Sequence, residues 1–209
     1  MKYLVVNADD FGTSSGVNRG IVEAHETGIL TSASLMVDSQ AAAEAAQLAA
    51  RTPSLGLGLH VVLEPTAFAA AESEVARQLE RFGELTGQPP THIDSHHEVH
   101  RDADLLPAFR AVAERHGLPL RGYSGVRDIA TFYGQLQISP EALAKIVDTE
   151  VQDGFNELYC HPGYVNGELV SSYRREREME LETLCNPEVA ALLAEREIRL
   201  VTFRELPRR

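Results

Sequence analysis

The amino-acid sequence predicts an α/β protein built on a parallel sheet or barrel. Short apolar segments alternate along the chain with longer segments of helical pattern, as is typical of parallel strands joined by helices. The 209 residues are enough for one sizeable domain with its own core. Neither a linker nor a change in composition divides them, so residues 1–209 are expected to form a single domain.

Seven short segments are predicted as strands. The first, at residues 3–6, is continuously apolar, which is typical of a strand covered on both faces of a parallel sheet. The others contain the short apolar or β-branched runs that follow each helical segment. The predicted strands are residues 3–6, 33–37, 57–62, 92–94, 118–121, 158–160 and 198–203.

Seven helices are predicted between these strands, and several carry end signals. Ser14 or Ser15 can cap the first helix, and Gly28 can end it. Gly87 and Gly117 are C-terminal signals of two later helices. The predicted helices are residues 15–27, 41–51, 72–86, 104–116, 140–152, 172–184 and 187–196, and residues 122–140 are predicted to be a long loop on the active face.

The charge of the chain disfavours nucleic acid as a partner. Lys and Arg number 19 against 31 Asp and Glu, so the formal net charge is −12, which repels a phosphate backbone. The one basic cluster, Arg174, Arg175 and Arg177, alternates with glutamates. This alternation predicts a solvent-exposed helix face with ion pairs.

The N-terminus and the cysteines predict a cytoplasmic protein. The apolar run at residues 3–6 is too short for a signal peptide or a membrane span. Cys160 and Cys185 do not make a disulfide framework. A homodimer is left open.

Polar residues follow four of the predicted strands at their C-terminal ends. Asp9 and Asp10 follow the first strand, and His60 lies in the third. His96 follows the fourth strand, and His161 follows the sixth. The C-terminal ends of parallel strands lie on one face of an α/β fold, where such folds bind ligands. These five side chains are therefore expected to meet at one site.

The residue types point to a hydrolase that uses one divalent metal ion. One carboxylate and two imidazoles suit such an ion, so Asp10, His60 and His96 are the predicted ligands. Asp9 is the predicted general base, and His161 is the predicted acid that protonates a leaving amine. Zn²⁺ suits this donor set, whereas Mg²⁺ usually prefers oxygen ligands; both remain candidates.

Each residue also has a simpler structural interpretation. His60 alone could be a hydrogen-bonded core histidine. Asp9 and Asp10 would face opposite ways if the strand continued through them, so only one would contact a metal directly. Glu98, together with His97 and His100, is expected to be solvent-exposed at a helix start. Cys160 could be a nucleophile, although packing is the commoner role of a cysteine at a strand end.

Five motifs along the chain resemble those of a known family. They are VNADDFG at residues 6–12, TSASLM at 31–36, GLH at 58–60, THIDSHH at 91–97 and CHPG at 160–163. Together with Tyr173, Arg177 and Glu180 near the C-terminus, they cover nearly the whole chain. In this order they resemble the YdjC-like carbohydrate deacetylases, which include chitooligosaccharide deacetylases and hopanoid-biosynthesis-associated deacetylase-like proteins.

The resemblance implies a single-domain distorted (β/α) barrel with about seven mainly parallel strands. It also implies removal of N-acetyl groups from amino sugars, so the expected partner is a small acetylated sugar. By position, the family's metal ligands fall on Asp10, His60 and His96, and its base falls on Asp9. The histidine of its H-P motif falls on His161.

Two departures from the family pattern concern the rim of the site. Glu98 stands where the family often has a further histidine, and residues 61–86 are short beside the family's usual insertion. Loops on this face select substrates, so the departures bear on which sugar is accepted. The alternatives are a metal-dependent amidase or phosphoesterase for another small molecule, and a catalytically silent sugar-binding module.

Overall fold

Within residues 1–207, seven parallel strands form one curled sheet at the centre of the molecule. The computed structural model describes residues 1–207, with residues 65–67 described by their backbone alone. The strand order is β4-β3-β2-β1-β6-β5, and β7 pairs with the start of β1. The strands are β1 Lys2–Phe11, β2 Ser32–Leu35, β3 Gly56–Val61, β4 Ile93–Ser95, β5 Arg127–Ile129, β6 Gly154–Cys160 and β7 Ile198–Leu200. The predicted α/β class with mainly parallel strands is confirmed. The predicted barrel is also confirmed, and it takes the form of a curled half-barrel.

In the described part of the chain, seven α-helices connect the strands. Ser14 caps the first by accepting a hydrogen bond from the Val17 N–H, and Ser139 caps the fifth in the same way. Gly87 and Gly117 end two helices in the left-handed conformation, as predicted. The helices are α1 Ser15–Thr27, α2 Ala42–Arg51, α3 Ala71–Thr86, α4 Leu106–His116, α5 Pro140–Glu150, α6 Arg175–Leu184 and α7 Pro187–Glu195.

The first strand is longer than predicted and carries the two aspartates inside the sheet. β1 pairs with β6 from Lys2 to Ala8, and its second half pairs with β2. The β1–β2 register shifts between Ala8 and Phe11, and Asp10 there takes a positive φ of 65°. The prediction ended this strand at residue 6 because polar residues follow. The structure buries them beside ionic partners that are distant in sequence.

The fifth strand was predicted in the wrong place. Residues 118–121 form no strand and make only one bridge, between Leu120 and Ile93. Pro119 cannot donate to a ladder, which limits pairing at this point. The actual β5, Arg127–Ile129, lies within the predicted long loop. It is an edge strand in which Arg127 is exposed, so its sequence lacks the apolar run that identified the others.

None of the helices in residues 1–207 is both long and apolar enough to cross a membrane.

Candidate metal centre and active site

An open cavity of about 400 Å³ lies at the C-terminal ends of the strands. All five residues predicted for the site line it. Its other lining residues are Ser95, His97, Glu98, Ala130, Tyr133, Tyr159, Ser171, Ser172, Tyr173 and Arg177. The parallel topology therefore brings β1, β3, β6 and the segment after β4 to one place, as the strand-end argument expects.

Asp10, His60 and His96 form a cluster with the spacing of a metal site. Their ligand atoms lie within 4.8 Å of one another. Oδ1 of Asp10 is 3.1 Å from His96 Nδ1 and 3.5 Å from His60 Nε2. Asp10 and His60 are buried, whereas the His96 side chain is partly exposed toward the cavity. Two imidazole nitrogens and one carboxylate form a donor set that suits a divalent transition metal.

Asp94 orients His60 from behind. Its Oδ1 lies 2.7 Å from His60 Nδ1, which leaves Nε2 directed toward Asp10. A carboxylate in this position fixes the tautomer of a ligating histidine. Burial disfavours the imidazolium form, but the charges of Asp9 and Asp94 outweigh it and raise the pKa of His60 to about 10. The environment of His60 thus strongly favours positive charge.

Asp10 is held by groups that favour its ionised form. Arg177 Nη2 on α6 donates to Asp10 Oδ2 at 2.5 Å. Burial opposes ionisation, but the contacts of His60 and His96, together with the charge of Arg177, hold the pKa of Asp10 well below its usual range. Arg177 was predicted to lie on an exposed helix face. It is instead buried, because Asp10 supplies the opposite charge that makes its burial tolerable.

Asp9 faces a different set of partners from its neighbour. Arg121 donates to both carboxylate oxygens, through Nη1 to Oδ2 at 2.8 Å and through Nη2 to Oδ1 at 2.7 Å. Asn7 Nδ2 donates to Oδ1 at 3.0 Å. Asp9 also lines the cavity beside the Asp10 cluster. Of the two successive carboxylates, Asp10 thus faces the histidines, whereas Asp9 is fixed by the guanidinium group of Arg121.

Arg121 is the centre of a buried ionic network. Besides Asp9, it contacts Asp94 at 2.7 Å and Glu157 at 2.7 Å, and its side chain is fully buried. Asp9, His60 and Asp94 also have metal-like spacing, but the guanidinium group already supplies positive charge to both carboxylates. Burial raises the pKa of Glu157 to about 7 despite this contact.

His161 lies beside the cluster, at the end of β6. Its backbone N–H donates to Glu180 on α6, and its Nδ1 is buried with no hydrogen-bond partner among the described residues. Burial lowers the pKa of the His161 imidazole. Burial also raises the pKa of Glu180 to about 8. The rings of Tyr133 and Tyr173 both meet the His161 ring edge-on.

The segment His96–Arg101 differs in part from its prediction. His97 is exposed as expected, and its ring lies against that of His96 with centroids 3.8 Å apart and the planes tilted by 43°. Glu98 is half-buried and accepts a hydrogen bond from Arg101 Nε at 2.7 Å. His100 was expected in solvent but is fully buried, because Ser95 Oγ, 2.6 Å from its Nδ1, gives the ring a polar partner.

Cys160 does not have the environment of a nucleophile. It is fully buried, and its Sγ donates to the Asn7 carbonyl oxygen at 3.3 Å. Burial raises the pKa of its thiol well above the usual value, so the reactive thiolate is disfavoured.

Several residues that build the site have no role in the predictions made from the sequence. Arg121 and Asp94 were each placed at the end of a predicted strand without a role in the site, and Asn7 and Glu157 were not singled out. The available signal was polar or charged residues beside apolar runs, as in LPLR at 118–121 and NELYC at 156–160. Such residues are seldom buried unless paired.

Comparison with known proteins gives one consistent family. The model of the family described as YdjC-like protein matches residues 3–69 and 64–195. A carbohydrate deacetylase from Geobacillus stearothermophilus is 38% identical, and the alignment covers 98% of each chain. A chitooligosaccharide deacetylase from Serratia marcescens is 34% identical over 98% of this chain and 99% of the relative.

Solved structures show the same architecture. A protein from Enterococcus faecalis, described as a candidate cellobiose-phosphate cleavage protein, superimposes with a TM-score of 0.87 at 28% identity, covering 97% of this chain and 98% of the other. A family 4 carbohydrate esterase from Streptomyces lividans has a TM-score of 0.63 at 18% identity, covering 95% and 91%. The second likeness concerns the fold alone.

The comparisons also bear on the short segment after β3. The alignment with the Geobacillus protein extends over 242 residues, so that relative has residues this 209-residue chain lacks. The two stretches matched by the family model meet at residues 64–69, immediately beyond β3. Both observations agree with the expectation that the segment of residues 61–86 is short for the family.

Proposed function

Because this chain belongs to the YdjC-like protein family, we propose that it is a metal-dependent deacetylase that removes the N-acetyl group from an amino sugar or a short oligosaccharide. The carbohydrate deacetylases among its relatives support this class of reaction. The observation that carries the proposal is the cluster of Asp10, His60 and His96 next to a separate carboxylate, Asp9, in one open cavity. We also propose that residues 1–209 form a single domain. The cytoplasmic location of the protein stays a prediction.

Asp10, His60 and His96 would hold the metal ion. The fit rests on the donor set, on the proximity of the three ligand atoms and on the accumulation of buried negative charge around His60. A divalent ion held there would polarise the acetyl carbonyl group and make the attacking water more acidic. With two imidazole donors, Zn²⁺ is the ion that the residues favour over Mg²⁺.

Asp9 is proposed as the general base that accepts a proton from the attacking water. Arg121 and Asn7 fix its orientation, so the carboxylate is held in place at the edge of the cavity. A carboxylate that served only as a structural partner of Arg121 would not need to face the cavity. This arrangement supports a hydrolase over a silent sugar-binding module.

The change Asp9→Asn is expected to keep the metal and lower turnover about 10²–10⁴-fold, because the side chain keeps its size but loses the proton acceptor. The rate of acetate release and the metal content by elemental analysis would be measured together. Asp148→Asn, an exposed carboxylate paired with Arg196, is the matched control and should retain wild-type rates. Wild-type turnover by metal-loaded Asp9→Asn would remove Asp9 as the base.

His161 is proposed as the acid that protonates the leaving amine. It reaches the cavity from β6, on another strand than the proposed base. Its buried environment lowers the pKa, so the imidazolium form is a stronger acid than an ordinary histidine but is less populated at neutral pH. The amine of an amide substrate must be protonated in order to leave. The nitrophenolate group of an activated ester leaves without such a proton.

His161→Ala is therefore expected to lower amide hydrolysis by about 10²-fold or more and to spare the hydrolysis of 4-nitrophenyl acetate. Both rates and the metal content should be measured, with His25→Ala as a control because His25 is hydrogen-bonded outside the cavity. Equal losses for amide and ester would mean that His161 positions substrate or supports the following turn.

The proposed function is tested by acetate release from N-acetylated chitooligosaccharides. We expect activity that is lost after chelation and restored by Zn²⁺ more effectively than by Mg²⁺. Metal binding without acetate release from any N-acetylated sugar would contradict the proposal. It would favour another metal-dependent hydrolase of the same fold.

A further inference from the structure

Two tyrosine rings form one wall of the cavity next to His161. Tyr133 and Tyr173 are stacked, with centroids 4.6 Å apart and planes within 7°. The His161 ring meets both rings edge-on, at 5.6 Å from Tyr133 and 5.7 Å from Tyr173. All three residues line the cavity. We call Tyr133 and Tyr173 the aromatic wall.

Tyr173 is the fixed member of the aromatic wall. Its hydroxyl donates to Glu180 Oε1 at 2.5 Å and accepts from the backbone N–H of Gly134 at 2.9 Å. The same Glu180 accepts the His161 backbone N–H through its other oxygen. One buried carboxylate therefore positions both His161 and the ring on which Tyr133 stacks.

Tyr133 is presented to the cavity by an anchored loop. Its neighbour Phe132 is buried, and the next residue, Gly134, takes a φ of +79° and bonds to Tyr173. Tyr133 itself remains 53% exposed although Tyr173 covers one face of its ring. Tyr133 is thus a partly exposed aromatic ring that lines the cavity from an anchored loop, and it offers apolar surface to a ligand bound there.

The reaction geometry identifies what that face would meet. In an N-acetylated amino sugar, the leaving amine is attached directly to the sugar ring. If His161 protonates this amine, the sugar ring must lie beside His161, where the aromatic wall stands. The C–H groups of a pyranose face form an apolar surface that matches the face of an aromatic ring.

We propose that Tyr133 is a specificity-determining residue whose open face stacks against the pyranose ring of the substrate. This inference rests on the proposed function, because it takes the position of the sugar from the role of His161. Tyr133 contributes binding and positioning, whereas Asp9, His161 and the metal ligands remain the catalytic groups.

The test compares Tyr133→Ala and Tyr133→Phe with wild type on two substrates. For diacetylchitobiose we expect Tyr133→Ala to raise KM about tenfold with kcat changed less than about threefold, since a lost aromatic stack is worth up to roughly this factor. Tyr133→Phe keeps the ring and should restore KM. Hydrolysis of 4-nitrophenyl acetate, which has no sugar, should be unchanged in both variants. Leu136 is an apolar residue of the same loop and is 90% exposed, so Leu136→Ala is the control that is expected to match wild type.

A second measurement separates this inference from the proposed function. Binding of diacetylchitobiose can be followed by titration calorimetry in the metal-loaded Asp9→Asn background, with and without Tyr133→Ala, because turnover is expected to be slow there. Binding that is weakened about tenfold in Tyr133→Ala supports the role of Tyr133 even if no acetate is released. An unchanged KM and Kd in Tyr133→Ala would overturn the inference while leaving the deacetylase intact. A fall in kcat alone, or equal losses for sugar and ester, would also overturn it and indicate that Tyr133 supports His161. A wild-type protein that neither binds nor deacetylates diacetylchitobiose would overturn it as well.

Discussion

Alanine at Asp10, His60 or His96 is expected to lower metal affinity by more than about 100-fold and deacetylation by about 10²–10³-fold. Each residue supplies one of the three donors of this cluster, so its loss leaves two. The metal content would be measured by elemental analysis after dialysis and the rate by acetate release. We expect the largest loss for His60→Ala, because Asp94 would also lose one of its buried partners.

The control for this series is His116→Ala. His116 is an exposed histidine at the end of α4, outside the cavity, and its removal should change neither metal content nor rate. Circular dichroism would show whether each variant is folded. A folded variant with full metal occupancy would exclude that residue from the ligand set. Full activity after exhaustive chelation of the wild type would contradict metal dependence.

Arg121→Met is expected to lower the free energy of unfolding by about 3–5 kcal/mol at neutral pH. The substitution keeps an apolar stem but removes the positive charge that contacts Asp9, Asp94 and Glu157 in the core. Several buried carboxylates would then repel one another without a compensating cation. Urea denaturation followed by circular dichroism measures the change.

Arg101→Met is the matched control, because Arg101 also pairs with two carboxylates, Glu98 and Asp128, but its side chain is 33% exposed. Solvent screens this pair, so a loss below about 1 kcal/mol is expected. Equal losses for the two variants, or a loss below about 1 kcal/mol for Arg121→Met, would contradict the importance of burial.

The Arg121→Met deficit should shrink as the pH is lowered from 8 to 5. Without the guanidinium group, the folded-state pKa values of the buried carboxyls should lie above their unfolded values. The folded state would then bind more protons than the unfolded state, so stability decreases as pH rises through those values. Glu157 already has a pKa raised to about 7 with Arg121 present. A deficit that grows toward acidic pH would contradict this explanation.

The order of most elements and the location of the site could be predicted from the amino-acid sequence alone. Serine caps, glycine stops and helical periodicity depend on neighbours within a few residues, so Ser14, Gly87 and Gly117 could be assigned locally. The location of the site could be predicted as well, because parallel topology places the C-terminal ends of all strands together. Asp10, His60 and His96 therefore met as expected, although they come from three separate segments.

Which polar residues are buried, and which partners they contact, depends on the tertiary structure. Arg121 and Asp9 are 112 positions apart, and Arg177 and Asp10 are 167 positions apart. A charged side chain enters the core only if an opposite charge meets it there, and that meeting depends on the whole chain being folded. Local pattern thus placed Arg177 in solvent and ended β1 before Asp9. The ionic partners that bury these residues come from elements distant in sequence. The register shift at Asp10 and the edge strand Arg127–Ile129 likewise arise in pairing with strands that are distant in sequence.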